Sequence, residues 1–71
     1  MGKEIKEGEI IKAMDYEMPD LGTIYYCKPI EKIGQEIWIA ETSMRLPFSS
    51  LGRVKIQYFE NWENWAVISF F

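Results

Sequence analysis

Covalent catalysis needs a nucleophile, a base to take its proton and a group to orient that base. The 71-residue chain has no histidine and one cysteine, Cys27, so Ser-His and Cys-His systems are absent. Cys27 stands between Tyr26 and Lys28 in a run that reads as a strand. Strand neighbours face opposite ways, so Lys28 does not activate the thiol, and Cys27 reads as a small buried hydrophobe. Among the carboxylates, Glu60 and Glu63 share a short polar segment with Asn61 and Asn64 and read as a solvated hairpin tip. Asp15, Glu17 and Asp20 form the tightest acidic group. Their spacing lacks the dense oxygen ligands and placed glycine of a calcium loop, and a structural zinc needs more His or Cys than one thiol. These residues predict no enzyme, no metal and no cofactor. The loop Asp15–Asp20 reads instead as a contact for a basic partner.

Binding leaves more candidates. Trp62 lies among Glu60, Asn61, Glu63 and Asn64. A tryptophan on a polar turn is either folded back over a small core or presented to a partner, and interface hot spots favour Trp and Tyr. Trp65, close by, is grouped with it as a contact. A second set, Arg45, Arg53 and Lys55 with Phe48, Tyr58 and Phe59 nearby, offers a basic-aromatic platform for single-stranded nucleic acid. The charge count weighs against it. Residues 1–36 carry five Lys against eight acids, residues 37–71 three cations against three acids, and the net charge is −3. Such a chain is poorly equipped to neutralise phosphates.

These side chains need a frame, and the hydrophobic pattern predicts five short antiparallel strands in one domain, with residues 1–8 as a loose charged arm. The first element, Glu9–Tyr16, fits a strand or a helix that Pro19 would end, and the strand is preferred because every later element reads as one. Thr23–Lys28 follows, closed by Pro29, which cannot donate to a ladder. Ile33-Gly34-Gln35 tips a hairpin whose return strand is Glu36–Thr42, with Trp38 and Ala40 opposite Ile37 and Ile39. After an irregular stretch, Ser43–Gly52, the strand Arg53–Phe59 turns Val54, Ile56 and Tyr58 inward. The last strand, Trp65–Phe71, is apolar on both faces, whereas a half-exposed strand alternates apolar with polar. One face needs a cover, and Val67, Ile68, Phe70 and Phe71 are read as a homodimer contact. The expected fold is all-β: a small five-stranded antiparallel barrel or strongly curled sheet. The alternative is α+β, with an N-terminal helix at about 4–16 packed on a four-stranded antiparallel sheet.

Three segments carry a family resemblance. Ala13-Met14-Asp15-Tyr16-Glu17 resembles the opening motif of Src-homology-3 domains. Ile37-Trp38-Ile39-Ala40-Glu41 is similar to their tryptophan strand, and Pro47-Phe48-Ser49-Ser50-Leu51 to their closing turn. The resemblance implies a small barrel and proline-rich peptide binding on Tyr16, Trp38 and Pro47. Met14 and Leu51 stand where that family carries aromatics.

The functional expectation is a stand-alone module that inhibits or modulates a larger cytoplasmic protein, of the kind phages and mobile elements encode. The cytoplasm follows from a free thiol and the absence of an apolar leader after Met1. Its contacts are Trp62, Trp65, Tyr16, Trp38, Asp15, Glu17 and Asp20. The alternatives are a nucleic-acid binder through Arg45–Lys55 and a small-ligand-sequestering or structural homo-oligomer.

Overall fold

The computed structural model describes residues 4–71. Five strands close into a barrel in the order β1-β2-β3-β4-β5: β1 Ile11–Asp15, β2 Ile24–Gly34, β3 Ile37–Ser43, β4 Gly52–Phe59 and β5 Asn64–Phe70. Each strand runs antiparallel to the next. An odd number of alternating strands brings the first and last together pointing the same way. The barrel therefore closes by a parallel β1–β5 pair, in register at Ala13↔Trp65, Met14↔Ala66 and Asp15↔Val67. The expected small all-β barrel is the fold, of the Src-homology-3-like kind. The α+β alternative is overturned, since residues 11–15 form a strand and the described residues contain no helix beyond a 3-10 turn at Pro19–Leu21. Hydrogen bonding to neighbours on both sides outweighs the local helix preference of Lys, Ala and Met.

The interior is filled by unequal partners. Ala13, Cys27 and Ala40 on β1–β3 face Val54, Ile56, Trp65 and Val67 on β4 and β5, all essentially buried. Small residues on one side leave room for the indole on the other, as a narrow barrel requires. The ring of Trp65 meets Tyr58 edge-on at 5.5 Å. Among the described residues its buried Nε1 has no acceptor, which costs ~1–3 kcal/mol.

Three departures from the sequence pattern share a cause, the insertion of extra residues into ladders. First, Pro29 does not end β2. It sits inside the strand, buried, beside a register shift between Pro29 and Glu31, a bulge that tolerates a residue without an N–H. Second, β5 slips by one residue between its pairs Ile56↔Val67 and Lys55↔Ser69. The bulge turns Phe70 to the face of Val54, its partner in register. Third, the hairpin tip is Gln35–Glu36, with Glu36 at φ 58. The N-terminal arm is fastened where it is described. Ile5 packs against the core, and Gly8 N–H donates to Pro29 O at 3.0 Å; residues 1–3 of the expected loose arm lie outside the described residues.

The β1–β2 and β3–β4 connections are held by short polar side chains. Asp15 Oδ1 accepts the N–H groups of Glu17 (2.9 Å) and Met18 (3.2 Å), turning the chain out of β1 as an Asx turn does. Gly22, at φ 69, caps the 3-10 turn in the left-handed region. Ser43 Oγ is buried at the end of β3. It accepts from Arg45 N–H and Ser49 N–H and donates to Arg45 O at 2.7 Å.

So small a core has little redundancy. A domain of this length gains ~3–5 kcal/mol from its core, and emptying a buried Ile site costs ~2–5 kcal/mol. Ile56→Ala, at a fully buried position, is expected to leave the chain largely unfolded in water at 25 °C. Circular dichroism across a urea titration checks this; a cooperative transition shifted by less than ~1 kcal/mol would contradict it.

Candidate interaction surface

Strand alternation that sends Tyr58 inward sends Phe59 outward. Phe59 ends β4 and leads into the tight turn 60–63. There Trp62 N–H donates to Phe59 O and Glu63 N–H to Glu60 O, both at 3.1 Å. Glu63 takes φ 54, and Asn64 Nδ2 donates to Trp62 O at 3.0 Å. The turn so built folds the indole of Trp62 back to 5.2 Å from the Phe59 ring. Across β5, Tyr16 N–H donates to Val67 O at 3.2 Å. The Tyr16 ring then lies flat on Phe59, with centroids 5.0 Å apart and planes at 12°, and 5.9 Å from Trp62. Each such pair adds ~0.5–1.5 kcal/mol beyond its area.

The three rings answer the two-sided pattern of β5. Ala66 faces away from Trp65 and Val67 on the strand, yet it is fully buried. Its register neighbours are Met14 on β1 and Gln57 on β4, and Tyr16 and Phe59 rise from those same two strands to meet across β5. The chain thus covers this part of the strand with its own aromatics. The cover is not sealed. Tyr16 is 46% exposed and Trp62 half-buried. Exposed Glu17, Glu60 and Glu63 adjoin Tyr16 and Trp62 in the chain, and residues 13–27 and 56–71 contain no Lys or Arg. The surface is aromatic with an acidic border.

The remaining sequence candidates scatter. Trp65 is 3% exposed and belongs to the core, so the isolated barrel does not present it to a partner. Val67 likewise is core, Ile68 half-buried, and Phe70 and Phe71 exposed. Trp38 pairs with Ile56 in register and packs against the core, away from the outer face that Tyr16 occupies. Asp15 also accepts from Tyr25 Oη at 3.2 Å, so its carboxylate is engaged in shaping the turn. Asp20 is exposed in the 3-10 turn. Arg53 and Lys55 lie on the outer face of β4 and Arg45 on the β3–β4 connection. Phe48 lies under Lys28 Nζ, 4.6 Å from its ring centre. Glu41 stands in register between Lys28 and Arg53, a carboxylate in the middle of that basic strip. Sequence reasoning grouped Phe59 with these cations; outward alternation next to a tryptophan turn was the signal for its actual place.

No protein-family profile, curated protein or solved structure matches the chain.

Chemistry at Cys27 is suppressed by its surroundings. The thiol is fully buried and 3.8 Å from Thr42 Oγ1. Burial pushes its pKa up to about 11, the Thr42 hydroxyl opposing. Tyr25 is raised above 10.0 by burial and then by the Asp15 carboxylate. Among the described residues no three His, Cys, Asp or Glu cluster to hold a metal ion, and no helix is long and apolar enough to cross a membrane.

For an acid whose folded pKa is raised, the unfolded chain releases its proton first, so stability falls as pH rises through that window. Unfolding midpoints are expected to drop between pH 9.0 and about 11, and Cys27→Val to remove much of that loss. The native thiol is also expected to resist alkylation at pH 8 and to react once urea unfolds the chain. Mass spectrometry reads this, and native alkylation at the unfolded rate would contradict it.

Proposed function

We propose that the chain is a non-catalytic protein-binding module whose contact surface is the Tyr16–Phe59–Trp62 stack with its acidic border. The observation that carries the reading is that stack. Three rings meet on the outside of the barrel and remain partly open to solvent. Rigid aromatics on a preformed surface are what interface hot spots are made of. The border selects the partner by charge, favouring a basic surface on a larger protein. Occupying that surface is how a module of 71 residues would inhibit or modulate it, and the buried thiol and missing histidine fit a role without chemistry. Nucleic-acid binding through Arg45, Arg53 and Lys55 is the weaker reading, since Glu41 opposes phosphate within the same strip.

Trp62→Ala is expected to weaken partner binding by ~2 kcal/mol or more, about thirtyfold, while lowering the melting temperature only modestly. Partner captured from lysate with the wild-type chain, then titrated against both chains by calorimetry, gives the affinity; a thermal melt gives the stability. A sharply lower melt with unchanged affinity would make Trp62 a structural cover alone.

A further inference from the structure

Chain direction sorts the barrel's two ends. β1, β3 and β5 run toward the same end, so the β1–β2 connection, the β3–β4 connection and the end of β5 all lie there. Of the eleven large hydrophobics exposed among the described residues, seven besides Tyr16 belong to these three pieces. Leu21, Leu46, Leu51, Phe70 and Phe71 are each 56–73% exposed. The bulge in β5 contributes by aiming Phe70 at this end, where it meets Tyr25 edge-on at 5.8 Å. Exposed apolar side chains gathered at one end of a chain mark a site of interaction.

Its border is two-signed. Glu17 and Asp20 stand on the β1–β2 side, Arg45 and Arg53 on the β3–β4 side, all exposed. In the barrel order these sides lie across the mouth from one another, with the end of β5 between β4 and β1. We infer that this end is a two-fold interface between copies of the chain. A two-fold axis through the mouth lays apolar centre on apolar centre and sets the acidic side of each copy against the basic side of the other. A face with opposite charges across an apolar middle is self-complementary, as an isologous dimer requires. Trp62 lies on the β4–β5 connection, at the other end of the barrel.

Charge reversal tests this without depending on whether any one variant folds. The wild-type mass, by light scattering, is expected to rise from 8.4 kDa toward twice that value as concentration increases. Asp20→Lys and Arg45→Glu are each expected to move the midpoint at least tenfold higher, since each places like charges together. An equimolar mixture of the two is expected to associate again, because every cross-axis pair then joins opposite signs. A wild-type chain that stays at the monomer mass to millimolar concentration overturns the inference and leaves the face to a different macromolecule. So does a dimer that both single variants form as readily as wild type.

Discussion

Everything in this barrel depends on a closure that three residues per strand provide. Five alternating strands can close only by pairing the first with the last in parallel, and β1 offers Ala13, Met14 and Asp15 for that. The closure removes the sheet edges that would otherwise invite pairing with other chains. It brings Ala13 to Trp65 and seals the narrow interior. It also carries the chain after Asp15 past β5, so that Tyr16 reaches the ring that ends β4. Without it the outer stack has no third member.

β5 shows how one strand can be apolar on both faces in a single copy of the chain. Its inner residues Trp65 and Val67 fill the barrel, and its outer Ala66 is small enough to lie under rings from the strands on either side. Past the bulge the arrangement changes, and Phe70 turns to the barrel mouth. The sequence pattern therefore contained two separate messages, an internal cover over Ala66 and an apolar end at Phe70, that strict alternation merges into one.

Alternation made the strands legible. Inward Val54, Ile56 and Tyr58 lie where the pattern puts them, and the irregular connection, 44–51, falls within the expected 43–52. What alternation cannot carry is a slip within a ladder, because a bulge leaves no mark in residue type. That is why Pro29 read as a strand end, and why strict alternation puts Phe70 on the side of Ala66 and Ile68 although it pairs with inward Val54. Trp62 stood out by its polar neighbours, but its ring partners depend on contacts across β5 that no local signal encodes. Trp65 read as a contact because the size of the cavity that admits it is set by Ala13, Cys27 and Ala40, residues far from it in the chain. The motifs that resemble Src-homology-3 domains agree with the barrel, yet Tyr16 meets Phe59 and Trp62 rather than Trp38.

The closure can be read at one amide. Tyr16 N–H has its bond to Val67 O only if β1 and β5 are joined. Hydrogen exchange followed by NMR should find it protected to within about tenfold of the Tyr58 amide, which bonds to Glu36 O on the β3–β4 side of the barrel. Free-chain exchange at Tyr16 alongside a protected Tyr58 would mean an open sheet, and would contradict the closed barrel on which both surfaces rest.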